Sequence, residues 1–172
     1  MIEHRCGYVA LIGRPNAGKS TLVNRVLGSK LAITSSKPQT TRNRIVGIHT
    51  DDTTQVVLVD TPGIHKAWTE LNKAMVKHSI DAINDVDLVC WLVDMTTCAR
   101  RVELEDPIID AADEQIAQFL ESSGTPVVLV ANKIDVVPYP LILPVIEAFN
   151  ERLPLAAAIP ISALTGDGSP EL

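Results

Sequence analysis

Gly13-Arg14-Pro15-Asn16-Ala17-Gly18-Lys19-Ser20 sits between a short apolar run, residues 8–12, and a stretch with helical spacing, residues 19–27. In that second stretch Leu22, Val23, Val26 and Leu27 fall on one side. A strand, a glycine-bearing turn and a helix in immediate succession are the context in which this octapeptide spacing cradles phosphate. Backbone N–H groups of Gly13, Asn16, Ala17 and Gly18 can turn inward around phosphate oxygens. The positive end of the following helix adds to their pull. Lys19 is expected to reach the β and γ phosphates and Ser20 to ligate Mg²⁺, with Thr21 beside it in the contact set.

Working outward, residues 45–49 and 56–59 read as two strands joined by the polar turn Asp51-Asp52-Thr53-Thr54. Residues 88–93 and 127–131 are continuous apolar runs of the kind found in central parallel strands. Residues 110–120 and 141–153 have helical spacing, with Pro144 placed in the first turn of the second helix. A last strand covers residues 156–161. This order predicts a three-layer α/β sandwich whose sheet is mostly parallel with one antiparallel edge strand. The 172 residues suit one domain, residues 1–172, without repeat or linker. A chain of that length buries roughly 70% of its unfolded surface and needs no disulfides. Aromatics are 3% of the chain, so Val, Ile, Leu and Ala are expected to build the core.

The formal net charge of −6 argues against a free-standing nucleic-acid binder, which carries a basic face. Cys6, Cys90 and Cys98 follow no metal-ligand spacing. They read as two buried thiols in strands and one in a loop, consistent with a reducing cytosol. Met1-Ile2-Glu3-His4-Arg5 has no apolar signal core, and no apolar run reaches the ~20 residues of a spanning helix.

A phosphate loop does not choose between adenine and guanine. Asn132-Lys133-Ile134-Asp135, directly after the run 127–131, does. A carboxylate at Asp135 can accept from the guanine N1–H and 2-amino group, whereas adenine offers an acceptor at N1 and no 2-amino group. A buried carboxylate left unpaired costs a few kcal/mol, enough for strong discrimination. Asn132 is expected to tie this loop to the phosphate loop, and the Lys133 stem to lie over the ring. Asp60-Thr61-Pro62-Gly63 ends the strand 56–59. There Asp60 would hold Mg²⁺ through a water and the Gly63 N–H would contact the γ-phosphate. Ser162-Ala163-Leu164 follows the last strand, and its Ala163 N–H could donate to guanine O6. In Gln39-Thr40-Thr41-Arg42 either threonine could complete the Mg²⁺ shell. Lys19, a threonine of this pair and Gly63 are then the groups nearest the γ-phosphate. Arg14 reads as a solvated side chain.

The octapeptide, the segment Gln39-Thr40-Thr41-Arg42-Asn43-Arg44-Ile45-Val46-Gly47-Ile48-His49-Thr50 and Val59-Asp60-Thr61-Pro62-Gly63-Ile64-His65 together resemble the Era-type GTPases of the TrmE-Era-EngA-like group. The resemblance covers almost the whole chain. It implies a P-loop NTPase fold, a Ras-like G domain, that binds GTP or GDP with Mg²⁺ and hydrolyses GTP as a switch in small ribosomal subunit assembly. It implies Thr41 as the Mg²⁺ ligand, with Lys19, Thr41 and Gly63 acting on the γ-phosphate. It also implies K⁺ at Asn16, and slow hydrolysis because Ile64 stands where Ras-type proteins carry a water-orienting glutamine. Implied partners are 16S rRNA and the small subunit, reached through a C-terminal KH domain, and, in the full-length family, a peripheral membrane contact. A cytoplasmic monomer is expected. The chain departs from the family in two places. Residues 96–109 look about ten residues longer than usual and are expected to form a surface loop. The chain ends at Gly168-Ser169-Pro170-Glu171-Leu172, where the family's final G-domain helix and then its KH domain would follow. With no basic stripe on it, this chain is expected to bind RNA weakly. Two other readings fit the motifs: a G domain of a related ribosome-assembly or tRNA-modification GTPase, or a nucleotide-binding module without turnover.

Overall fold

The computed structural model describes residues 5–28, 45–60 and 86–172. In chain order these form β1 (Arg5–Gly13), α1 (Lys19–Val26), β2 (Ile45–Thr50), β3 (Thr54–Asp60), β4 (Leu88–Asp94), α2 (Met95–Glu103), α3 (Ala111–Ser123), β5 (Val127–Asn132), α4 (Ile142–Arg152) and β6 (Ala157–Ile161). Among the described residues six strands make one sheet in the order β2-β3-β1-β4-β5-β6. Only the β2–β3 pairing is antiparallel there, and β2 lies at the edge. The predicted sandwich and its one reversed edge strand are therefore observed. Asp51, whose carboxylate accepts from Thr53 N–H and Thr54 N–H at 2.7 Å each, closes the β2–β3 hairpin.

Alternation along β1, β4 and β5 sends side chains to both faces of the sheet. Ala10, Ile12, Val89, Trp91, Val93 and Leu129 pack on one face against Met95 and Cys98 of α2, Ile116 and Leu120 of α3, and Val145 and Phe149 of α4. Leu11, Cys90, Leu92, Val128 and Val130 pack on the other against Leu22 and Val23 of α1. Val and Leu dominate as expected, but the centre of the first layer is aromatic. Trp91 and Phe149 are fully buried and meet edge to face with ring centroids 4.9 Å apart.

α3 starts where Asp110 accepts from Ala112 N–H (2.9 Å) and Asp113 N–H (3.0 Å), and stops at Gly124. In α4 Pro144 occupies the first turn, where its missing N–H costs nothing. The expectation of a surface loop over residues 96–109 is corrected, because α2 fills most of that stretch. Asp94 caps it by accepting from Thr96 N–H (3.0 Å) and Thr96 Oγ–H (2.6 Å). Met95, Cys98 and Ala99, at helical spacing, bury its inner face. No helix among the described residues is long and apolar enough to cross a membrane.

The cysteines also differ from their reading. Cys6 is exposed although it lies in β1, whereas Cys98 is buried in α2. Burial pushes the Cys90 and Cys98 thiols up to about 12, which suppresses the reactive thiolate at neutral pH. Titration of the native protein with Ellman's reagent should therefore show one fast thiol, which Cys6→Ser removes. Fast reaction at two or three thiols would contradict this packing.

Candidate nucleotide-binding site

The C-terminal ends of β1, β3, β4, β5 and β6 all open on one end of the sheet, where α/β sheets bind ligands. β1 runs straight into the glycine loop, and α1 begins at Lys19. Lys19 is buried, and its ammonium donates to Gly13 O (3.0 Å) and Arg14 O (2.9 Å). The loop thus already wraps the lysine. Gly18 has φ +101°, and a Cβ there would strike the Asn132 amide. Asn16 is left-handed as well, with φ +64°.

Asn132 closes β5 and is itself buried. Its Nδ2 donates to Ala17 O at 2.7 Å, and its Oδ1 accepts from Ala163 N–H at 2.9 Å. One amide therefore joins the phosphate loop to the 162–164 loop. Ala163 N–H, read from the sequence as a donor to guanine O6, here donates to Asn132. Lys133 has φ +71° and sends its ammonium to Asp94 Oδ2 at 2.6 Å. Asp94 and Asn132 are paired neighbours in the β4–β5 register, so Asp94 holds Lys133 from the adjoining strand end. Asp135 lies in the short helical turn Ile134–Val136 and is exposed rather than buried. A carboxylate that reads a base must face an open pocket and is desolvated only when the base covers it. Ser162 is fully buried, while Leu164 is exposed.

Oxygen donors suit a hard ion such as Mg²⁺. Ser20 stands in the first turn of α1. The backbone of Asp60 pairs with Leu11 at the same sheet end, two residues before the glycine loop. The residues present are thus of the right chemistry for that ion. Thr40, Thr41, Gly63 and Ile64 lie outside the described residues.

Arg14 is not the solvated side chain read from the sequence. Its guanidinium pairs with Asp110 at 2.9 Å and Asp113 at 3.4 Å. Arg101 of α2 pairs with the same two carboxylates, reaching Asp113 at 3.4 Å, and donates to Ile108 O at 2.9 Å. Burial pushes the Asp110 carboxyl up. Donation from Asp113 N–H, the Arg14 charge, Ala112 N–H and the Arg101 charge together outweigh it and hold the group at about 2. Asp113 goes the other way, raised chiefly by burial. Asp94, Arg101, Asp110 and Asp113 were missed in the sequence. Asp94 and Asp110 each precede a helix by one residue, a capping signal that was there to read.

Fold and loop together are those of a P-loop nucleotide-binding protein in its GTPase form. A family model described as 50S ribosome-binding GTPase matches residues 8–133. The chain is 49% identical over 164 residues to GTPase Era of Geobacter metallireducens, which covers 95% of this chain and 52% of that protein. Its structure is similar to that of Era in complex with MgGDPNP and nucleotides 1506–1542 of 16S ribosomal RNA. That likeness has a TM-score of 0.86 and 35% identity, over 98% of this chain and 55% of that one. A variant of Aquifex aeolicus Era bound to GDP and AlF4⁻ gives a TM-score of 0.83 and 36% identity, over 96% of this chain and 54% of that one. The chain belongs to this GTPase family, and it spans about half the length of the curated relatives it matches.

The ion network sets a pH dependence. Asp110→Asn keeps a capping oxygen and removes the charge. Because the folded-state carboxyl of Asp110 is depressed, its stabilisation is present above the unfolded value near 4 and is lost as pH falls through about 2. Asp113 is present in both proteins. Urea unfolding should show the variant less stable at pH 7 by on the order of 1 kcal/mol, after discounting for solvent screening. The gap should close between about pH 5 and pH 2. A gap independent of pH would contradict the assignment.

Proposed function

We propose that this chain is a single G domain that binds GTP and GDP and hydrolyses GTP to GDP and phosphate. It would be the switch of an Era-type factor in small ribosomal subunit assembly. The observation that carries this is the Asn132 amide, which holds the phosphate loop and the 162–164 loop to the strand end that bears Lys133 and Asp135. The phosphate loop and the tetrapeptide 132–135 are thereby tied together at one end of the sheet, which supports a shared nucleotide site.

In this reading the amides of Gly13, Asn16, Ala17 and Gly18 and the start of α1 bind the phosphates. Lys19 exchanges its carbonyl partners for β and γ oxygens. Asp135 accepts from guanine N1–H and the 2-amino group. Lys133, held by Asp94, lays its stem along the ring. Ser20, Thr41 and Asp60 would hold Mg²⁺, which would supply neutralising positive charge to the phosphates. Gly63 N–H meets the γ-phosphate. Asn16 would hold K⁺, and a cation there would supply the positive charge an arginine finger otherwise brings; Arg14 is paired with Asp110 and Asp113. The RNA seen with the Era relative is taken as the partner of the whole protein, contacted by the part of such proteins that this chain does not span. The whole protein is taken to work in the cytoplasm.

In a displacement titration GTP and GDP should bind and ATP should not compete at comparable concentrations. Asp135→Asn should lose guanine nucleotides and gain xanthosine nucleotides, since an amide can donate to the C2 oxygen of xanthine. Equal affinity for ATP and GTP would sink this reading.

Phosphate release should be faster in KCl than in NaCl, and Asn16→Ala should erase the difference. Equal wild-type rates in the two salts would remove K⁺ from the mechanism.

A further inference from the structure

Arg14 works in two directions. Its carbonyl accepts from the Lys19 ammonium at 2.9 Å and from Ala17 N–H at 3.3 Å. The peptide that follows Arg14 is therefore one wall of the wrap around Lys19, with Gly13 O beside it at 3.0 Å from the ammonium. The side chain leaves the loop and reaches α3, where the guanidinium meets Asp110 at 2.9 Å and Asp113 at 3.4 Å. Asp110 divides its carboxylate between two tasks. Oδ1 caps α3 by accepting from Ala112 and Asp113 N–H, and Oδ2 holds Arg14. Asp113 is buried in the first turn of the same helix, which Ile116, Ala117 and Leu120 anchor in the core. Arg101 of α2 pairs with both carboxylates, so two arginines balance two aspartates.

The loop between these anchors is bent at Asn16, with φ +64°, and at Gly18, with φ +101°. A left-handed non-glycine residue such as Asn16 persists only where its surroundings impose that conformation. Asn132 pins the far end of the loop at Ala17 O, and the Arg14 ion pairs pin the near end. Ion pairs drawn partly out of water add little stability beyond what packed apolar groups would give, because desolvation offsets most of the attraction. The geometry is the part that apolar groups could not supply. A planar fork of donors set against two oriented carboxylates leaves the guanidinium one position.

We propose that Arg14 is a positioning residue for phosphate binding. Through Asp110 and Asp113 it fixes its own peptide, and with it the Lys19 ammonium and the loop amides, in the arrangement that receives phosphate before the nucleotide arrives. The inference rests on the guanine-nucleotide reading above. A loop that is receptive only part of the time lowers apparent affinity by that fraction. Arg14 pairs with α3 and not with the nucleotide, so its loss slows arrival and leaves the bound complex intact. A plain structural staple would lower stability and leave both rates of the folded protein unchanged.

The test is stopped-flow binding of N-methylanthraniloyl-GDP to the 172-residue chain, without denaturant and with folding checked by circular dichroism. Arg14→Met removes the fork and keeps the length of the side chain. It should slow association about tenfold, as the receptive fraction falls to roughly a tenth, with dissociation within about twofold of wild type. Arg14→Lys, which keeps the charge but not the fork, should recover part of the association rate and serves if the methionine variant does not fold. Asp110→Asn keeps the capping oxygen and should slow association less. Added to Arg14→Met it should slow association no further, since both act through one pairing. Association at the wild-type rate in a folded Arg14→Met or Arg14→Lys variant, or a loss that appears in dissociation alone, would overturn the inference while wild-type GDP binding still upholds the guanine reading. A wild type that binds no GDP would remove both.

Discussion

A single buried amide organises this end of the molecule. Asn132 gives its N–H to the phosphate loop and its oxygen to the loop after β6. Neither partner lies near it in the chain, being 115 and 31 residues away. Removing that side chain would strand a buried carbonyl and a buried N–H, each costing about 1–3 kcal/mol. The amide also dictates its surroundings, because Gly18 can have no side chain where Asn132 presses against the loop. Arg25 then braces the far side of Ala163, so the 162–164 loop is held between a strand end and a helix end.

A second set of constraints is ionic. Two arginines and two aspartates from the phosphate loop, α2 and α3 form a neutral cluster, with Asp113 nearly buried. A charge taken from water needs paired partners, and Asp113 has both arginines. The cluster engages Arg14 and so fastens the glycine loop to the helical layer. α2, capped by Asp94 and anchored by Met95 and Cys98, brings Arg101 into that cluster. Asp94 serves both ends of this arrangement. One carboxylate oxygen starts α2 and the other holds Lys133.

The sequence by itself determined whatever rests on neighbours along the chain. Alternating apolar runs and helical spacing located the strands, and the polar turn at residues 51–54 announced the antiparallel edge. Glycine and proline spacing exposed the phosphate loop, and four short motifs proposed the ligand. It also contained the caps at Asp94 and Asp110, although α2 was read as a loop because its apolar positions, Met95, Cys98 and Ala99, are few and end in two arginines. Tertiary structure alone decided which groups meet. Arg14 and Asp110 are 96 residues apart, and Arg25 and Ala163 are 138 apart. Such pairs leave no local pattern. They form because parallel pairing brings the carboxyl ends of β1, β3, β4, β5 and β6 to one end of the sheet, and because a guanidinium or amide that is partly desolvated there must find whatever carboxylate or carbonyl the packing supplies.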